Sequence, residues 1–574
     1  MKLLPWRFKR SAPTAEQASI VLQGRRKATS GRAQSRIVLA MAMILGIYGA
    51  IGARLVHLGL IEEAPVNLPQ TRPTASRPDL LDRNGEVLAT DIKTSSLFAE
   101  PRHIIDIDEV IEKLQKVLPD LDYEQTYRRL DSDAGFVWLR RQLSPRQQSD
   151  ILALGIPGLG FRTEKTRFYP GGATASHILG LVNIDNKGIA GMEQYVDDQG
   201  LADLQALGLA GPDTLEPVRL SIDLRAQYIL HDELSQAMDR YHAIAAGGAI
   251  LNARTGEVVA MVSLPDYDPN NPYNALEKDR INRMTAGVFE MGSTFKLFTT
   301  AMALDSGHVK MTDRFDASRP LRLGGFTIND FHGKGRVLSV PEVFIYSSNI
   351  GTAKMADVVG IEGHRAFLKK VGLLDKMKTE LPEVAQPTEP KVWKKINSVT
   401  ISFGHGVATT PLQTAVSAVA MVNGGKLIPP TFLPRTEEEA QAVATQVISP
   451  ETSAQIRYLF RLNVQKGTGG SGSRADVPGF YVGGKTGTAE KVVNGRYSND
   501  KRFNAFLAAY PINDPEYVVV VILDEPKGEK PGMSATSGLN AAPVVGNVIR
   551  RTAPLLGVEP DFSHESDALL VSYR

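Results

Sequence analysis

The spacing of apolar positions divides the 574-residue chain into stretches of different character. From Ile37 to Ala53 runs IVLAMAMILGIYGAIGA, seventeen residues without a charge. With Arg54 snorkelling, the run continues through LVHLGLI to Ile61, giving 25 positions, where about 20 cross a hydrocarbon layer. The pattern predicts one transmembrane helix over 37–61. Residues 62–78 carry Pro65, Pro69, Pro73 and Pro78 with few bulky apolar side chains and read as an extended linker. LLDRNGEVLATD (80–91) reads as a hairpin turning at Asn84-Gly85. Residues 106–155, including DEVIEKLQKVL, read as helical. TRFYPGGATASHILGLVN (166–183) and NKGIAGMEQYV (186–196) are turn-rich with one short helical stretch.

A second region begins near Arg219. SIDLRAQYILHDELSQAM repeats apolar residues at helical spacing behind a serine or aspartate cap. GGAILNARTGEVVAMVS alternates and turns at Arg254-Thr255-Gly256, while NAFLAAYPI and YVVVVILDEP flank a turn at Asn513–Glu516. Between these strand pairs the pattern is mostly helical. TTPLQTAVSAVAMVNGG places Thr410 as cap, Pro411 at the first helical position and glycines at the end. AAPVVGNVIRRTAPLL again reads helical. Strands at both ends with helices between predict an α/β sandwich around a central antiparallel sheet. No period of about 20–50 residues suggests repeats.

Composition adds a direction to the apolar run. Apolar residues at 43% and charged residues at 22% fit a globular protein. The net charge of +2 is unevenly spread: residues 1–36 hold Lys2, Arg7, Lys9, Arg10, Arg25, Arg26, Lys27, Arg32 and Arg36 against Glu16 alone. A basic flank on the N-terminal side keeps the tail cytoplasmic and exports the rest. A cleaved signal peptide ending at AIGA fits less well. Its basic segment would be 36 residues long, and its apolar stretch would exceed the usual ~7–15 residues. Ala42, Gly46 and Ala50 form a small-residue row, common in membrane helices. The absence of cysteine excludes disulfides and thiolate metal sites.

The candidate chemistry starts at GFYVGGKTGTAE (479–490), which fits two patterns. Gly479, Gly484, Lys485 and Thr486 match the phosphate-binding G-x-x-x-x-G-K-S/T, and Lys485-Thr486-Gly487 is also a K-T-G triplet. Phe480-Tyr481-Val482 has strand preference, and Gly487 is a poor start for the helix that a phosphate loop needs. The triplet is therefore expected on a strand. Its partners lie upstream. Ser293-Thr294-Phe295-Lys296 is an S-x-x-K opening a helix over 294–305, with Phe298, Ala301 and Met302 on its apolar face. Three-residue spacing puts serine and lysine one turn apart on one face. A serine hydroxyl needs a base within reach, and a lysine serves if burial or nearby cations leave it neutral. The helix N-terminus adds positive potential for an oxyanion. Ser347-Ser348-Asn349 is an S-x-N between two helical stretches, read as a tight turn projecting Ser347 and Asn349. Either motif alone is an ordinary capping serine near a solvated lysine. The ordered set, 54 and 138 residues apart, points to a serine acyl-transfer site.

With these motifs the chain resembles the class B, monofunctional penicillin-binding proteins from residue 32 to about 555. The resemblance also rests on LLDRNGEVLA (80–89), RFYPGGATASHILG (167–180), GIAGMEQ (188–194), FEMGSTFK (289–296), GHGVATTPLQ (404–413) and KTGTAEK (485–491). Length and the FE-GSTFK context look most like the cell-division members, with an elongation-type enzyme as the alternative. Met291 stands where the class usually has proline, and Arg77-Pro78 where it has Arg-Gly. The implied fold is a penicillin-binding transpeptidase domain on an elongated α+β N-terminal module behind one transmembrane helix. The implied boundaries are a cytoplasmic tail (1–36), the anchor (37–61), linker and module (62–218), transpeptidase domain (219–556) and C-terminal tail (557–574).

The resemblance implies a D,D-transpeptidase crosslinking peptidoglycan outside the cytoplasmic membrane, at the division septum. Ser293 is the implied nucleophile and Lys296 the base. Backbone N–H groups of Ser293 and Thr488 form the oxyanion hole. Ser347, held by Lys485, relays a proton to the leaving D-alanine, and Asn349 orients the substrate amide and Lys296. Thr486, Gly487 and Thr488 line the substrate, the two hydroxyls joining Lys485 on its carboxylate. The implied partners are stem peptides of lipid II-derived strands, β-lactams as inhibitors, a membrane-embedded glycosyltransferase and other divisome proteins, without nucleic acid. No cofactor or metal is expected; the ten histidines form no H-E-x-x-H, and His177 and His405 read as structural hydrogen-bonders. A β-lactamase lacks support because no Glu-x-x-Leu-Asn segment lies between Asn349 and Lys485. A β-lactam sensor would need an intracellular effector larger than a 36-residue tail, and a pure scaffold would not need the three motifs.

Overall fold

The computed structural model describes residues 38–54, 76–200, 215–493 and 496–563. The expected basic tail, the linker up to residue 75 and the end beyond residue 563 lie outside them. The chain forms two compact units, Met1–Thr71 and Arg72–Arg574. In the first, a helix over 38–54 is exposed along its length; the remaining positions of the expected 37–61 span fall outside the described residues. Among the described residues no helix is long and apolar enough to cross a membrane.

The second unit begins with a sheet built on the long strand Val87–Ala99. It pairs with Leu80–Leu81, with Val137–Leu143, and with Leu159–Phe168 in a register running from Thr90 opposite Phe168 to Ala99 opposite Leu159. The predicted turn closes the hairpin: Gly85 takes φ +93°, and Asp82 Oδ1 accepts from Asn84 N and Glu86 N at 2.7 and 2.9 Å. Helices Ile107–Val117, Tyr123–Leu130 and Pro145–Ala153 start at Asp106, Asp122 and Ser144, whose side chains each accept a first-turn N–H. Their inner faces bury Leu97, Ile111, Leu114, Leu139 and Ile151 together. The helical reading of 106–155 fails at Val137–Leu143, which is a strand. VWLRRQL carries β-branched and aromatic residues, and the free edge beside Ser95–Ala99 accepts it.

Next to this sheet lies a buried ionic cluster. Arg77 pairs with Glu193 (2.8 Å) and Asp197 (2.6 Å), and Arg167 with Glu193 (2.7 Å) and Asp91 (3.3 Å). Arg167 also donates to the carbonyl of Pro78, at the position where Arg77-Pro78 departs from the resembling class. That bond needs only the carbonyl, which proline retains.

The rest of this unit is organised by a five-stranded antiparallel sheet. Its order is Gly483–Val493, Arg496–Tyr510, Tyr517–Asp524, Ala245–Asn252, Val258–Leu264. The two strand pairs read from opposite ends of the region meet where Tyr517 stands opposite Asn252. The middle strand is buried at every position. Alternation sends Val518, Val520 and Ile522 into one core and Val519, Val521 and Leu523 into another. Leu224–Tyr241, capped by Asp223, and Ala541–Thr552 cover the second face. Phe295–Asp305, Pro411–Val422 and Pro450–Val464 pack into the first. Pro411–Val422 is buried all round, with Thr410 capping and Pro411 at the first turn as the sequence predicts. Its polar side chains are accommodated by bonding backbone: Gln413 donates to Gly372 and Asp375, and Ser417 to Val371.

Candidate active site

Ser293 sits in the 3-10 turn Gly292–Thr294, with the helix proper starting at Phe295 rather than at 294. Gly292 takes φ +53°, and the Thr294 hydroxyl bonds back to the carbonyl of Met291 at 2.9 Å. The helix behind it is buried from Phe295 to Leu304. Lys296 is therefore carried into the interior one turn from Ser293, with 1% of its surface exposed. Its ammonium donates to the carbonyl of Ser347 and to the Ser347 hydroxyl at 3.0 Å. Burial, then the charge of Lys485, pushes its pKa well below the ordinary lysine value, with Asp330 opposing. Lys485, equally buried, reaches the same Ser347 hydroxyl at 3.0 Å. Burial lowers its pKa to about 7. Two lysines thus converge on one hydroxyl oxygen, and two buried cations there would repel each other at low dielectric.

Ser347 is presented by backbone strain. It takes φ +53°, a left-handed conformation costing a serine about 1–3 kcal/mol. The turn is held from both sides. Val340–Ile345 ends with Ser347 N and Ser348 N bonding back to Phe344 and Val343 at 3.2 and 2.9 Å. Ser348 then caps Asn349–Val359 by accepting from Gly351 N. Asp330 fastens this start, accepting from the Ser348 hydroxyl at 2.8 Å and Ile350 N at 2.9 Å. Asn349 donates to the carbonyl of Asn329 at 2.9 Å. Among the described residues no hydrogen bond joins it to Lys296, whose amino group bonds the carbonyl and hydroxyl of Ser347.

Lys485-Thr486-Gly487 lies in the edge strand Gly483–Val493, as expected, and no helix follows it. The strand starts later than GFYV suggests. Phe480 closes a turn from Val477, its N–H bonded to the Val477 carbonyl, and Tyr481 and Val482 are irregular, with Gly479 at φ +82° and Tyr481 at φ +46°. Gly487 is required by proximity: a Cβ there would stand 2.5 Å from the carbonyl oxygen of Met291. A Cβ on Gly292 would stand 2.8 Å from the carbonyl of Thr488, and one on Gly404 only 1.9 Å from that of Gly292. Three backbones are thereby pressed together, setting the amide of Ser293 close to the strand that carries Thr488. The hydroxyls of Thr486 and Ser471 are 2.6 Å apart, and Ser471 is held by Asn463. The Thr488 hydroxyl accepts from Ser537 N at 3.1 Å, so its own proton is free to be donated.

Several residues at this site escaped the sequence reading. Asp330 and Ser471 act through contacts with residues far along the chain, and no spacing announces them. Glu290, next to the S-x-x-K motif, accepts from Gly406 N at 2.7 Å, and burial raises its pKa. His405 corrects an expectation. Among the described residues its Nδ1 has no hydrogen-bond partner, its ring packs edge-on against Tyr497 and Phe403, and burial with the charge of Lys296 lowers its pKa to about 4. His177 bonds the carbonyl of Arg280 at 2.7 Å.

Comparison with known proteins gives a consistent result. Residues 246–550 match the penicillin binding protein transpeptidase domain, and residues 72–211 the penicillin-binding protein dimerisation domain. The chain is 39% identical over 491 residues to the probable peptidoglycan D,D-transpeptidase FtsI of Caulobacter vibrioides, covering 84% of this chain and 82% of that one. It is 32% identical over 572 residues to the probable peptidoglycan D,D-transpeptidase PenA of Neisseria gonorrhoeae, covering 94% and 95%. Its fold is similar to that of penicillin binding protein 3 of Mycobacterium tuberculosis in complex with aztreonam, with a TM-score of 0.65 and 23% identity over 85% of this chain and 98% of the other.

Proposed function

The chain belongs to the penicillin-binding protein transpeptidase family, and from that premise we propose how its residues divide the work. It is a serine-type peptidoglycan D,D-transpeptidase. The observation that carries the residue assignment is the convergence of buried Lys296 and Lys485 on the Ser347 hydroxyl, one helical turn from Ser293.

In this reading the Ser293 hydroxyl attacks the carbonyl between the two terminal D-alanines of a donor stem peptide. Lys296, neutral through burial and the neighbouring charge, takes the proton. The N–H groups of Ser293 and Thr488 receive the oxyanion. The proton passes through Ser347 to the leaving D-alanine nitrogen, and the acyl group stays on Ser293. An amine of a neighbouring stem peptide then attacks the ester, giving up its proton by the same route and returning one to Ser293. Lys485, with the hydroxyls of Thr486 and Thr488, binds the terminal carboxylate, and Asn349 accepts from the donor amide through its side-chain carbonyl. A β-lactam acylates Ser293 in place of the peptide. The decisive experiment is labelling of the full-length protein with a fluorescent penicillin: Ser293→Ala should abolish it, and unchanged labelling overturns the assignment.

The remaining parts follow the same reading. Residues 37–61 form a single membrane anchor with the N-terminus cytoplasmic, supported by the uncharged run and its basic flank. Residues 62–218 form the N-terminal module and 219–556 the catalytic domain. The module is a docking surface for a membrane-embedded glycosyltransferase and other divisome proteins, and the enzyme works at the septum. Depletion should give filaments; rounded cells would assign it to elongation instead.

A further inference from the structure

The edge strand does not end, as a substrate wall, at Thr488. Two positions on, Glu490 stands opposite Arg502, as Thr488 stands opposite Asn504. Side chains alternate along a strand, so Arg502 and Glu490 share the face of Thr486 and Thr488, about 7 Å further along at roughly 3.3 Å per residue. The Arg502 guanidinium lies over the ring of Phe331, 5.9 Å from its centroid. Phe331 is 66% exposed, yet its loop is anchored. On one side Asp330 is bonded to the Ser347–Asn349 turn and its following amide, and Asn329 receives Asn349. On the other side the His332 ring stands edge-on at 4.5 Å. One member of the pair therefore belongs to the sheet wall of the groove and the other to the wall carrying Ser347. Among the described residues no carboxylate pairs with the Arg502 side chain, its register neighbour Glu490 included. A guanidinium stacked on an aromatic face, with its fork of donors open, recognises a planar anion.

We propose that Arg502 and Phe331 form a subsite for the part of the donor peptide that precedes the scissile D-alanyl-D-alanine. Arg502 pairs there with a peptide carboxylate, and Phe331 covers the apolar part of the adjoining residue. The inference rests on the transpeptidase reading above. Two D-alanines offer only methyl groups for selection, so discrimination between donors must come from contacts remote from the scissile bond.

The test compares two thioester donors with the same D-alanyl acyl group and leaving group, one capped by benzoyl and one by a dipeptide bearing a free carboxylate. The readout is the ratio of their acylation efficiencies with full-length protein. Arg502→Ala should lower the ratio of carboxylate-bearing to capped donor by about tenfold. Arg502→Lys should restore part of it, since the charge returns without the fork. Phe331→Ala should lower it by about threefold. A ratio equal to that of the unmodified protein in both alanine variants overturns the subsite, as does a parallel loss on both donors. If the unmodified protein reacts with neither donor nor with penicillin, the transpeptidase reading fails, and the subsite with it.

Discussion

Arg77 and Arg167 are buried with three carboxylates around them, whereas Lys296 and Lys485 are buried with no carboxylate in hydrogen-bond contact among the described residues. Both clusters take long cationic side chains out of water, and they end in opposite states. Burial works against the charge on Arg167, but Glu193 and Asp91 together outweigh it and raise its pKa. Burial works against Lys296 too, and the strongest charge acting on it is another cation, so its proton is loosened. The first arrangement fixes a geometry; the second suits the role of base proposed for Lys296. Depth alone therefore says little about function, and the sign of the neighbours decides.

Removing the loosened base should have the largest effect. Lys296→Ala should slow acylation by penicillin on the order of 10³-fold, while the thermal midpoint stays or rises, because a buried group without a counter-ion is lost. Stopped-flow acylation and a melt measure both; a large fall in the midpoint would make Lys296 a structural ion like Arg167. Glu193→Gln inverts the comparison. Two buried guanidiniums lose charge compensation, and urea unfolding should show about 3–5 kcal/mol of lost stability. Penicillin acylation per folded molecule should not change; if it does, the two clusters are coupled. Next comes Gly487→Ala, whose Cβ would stand 2.5 Å from the Met291 carbonyl oxygen. It should cost about 10²-fold in acylation, as loss of an oxyanion donor does. Normal kinetics would detach the lysine pair from the backbone packing around it.

The smallest effect is a slope. Burial holds Lys485 at about 7 against an ordinary value of 10.5. Between those two pH values the unfolded chain carries a proton that the folded protein lacks, so this contribution to stability rises with pH across the window. It amounts to at most about 1.4 kcal/mol per pH unit. Relative to Lys485→Met, the native protein should gain stability from pH 7 towards 10. Identical slopes would mean that Lys485 keeps its proton, as Arg167 does.

Much of this contrast was legible in the sequence on one side only. Ser293 and Lys296 lie one turn apart, so local spacing predicts their meeting. The order of the three motifs, the cap at Thr410 and the alternation in YVVVVILDEP place the sheet and its covering helices. What escaped is set by contacts between distant residues. VWLRRQL is a strand because an edge beside Ser95–Ala99 is vacant. Phe480 and Val482 are buried, yet Gly479 and Tyr481 bend the backbone that holds them. Asp330 and Ser471 look like ordinary loop residues until the fold brings Ser348 and Thr486 to them. Arg77 and Glu193 are 116 positions apart, and nothing local marks them as partners.

The sheet order also sets a timetable. Asn252 waits for Tyr517, 265 positions later, before its strand has that neighbour, and the strand bearing Lys485 joins the sheet through the same late arrivals. A ribosome delivers Ser293 long before it delivers Tyr517. Until then the strand carrying Lys485 and Thr488 lacks the neighbours through which it joins the rest of the sheet, and non-local pairing of this kind is slow to form. The strand order thus ties completion of this site to the last strand to appear.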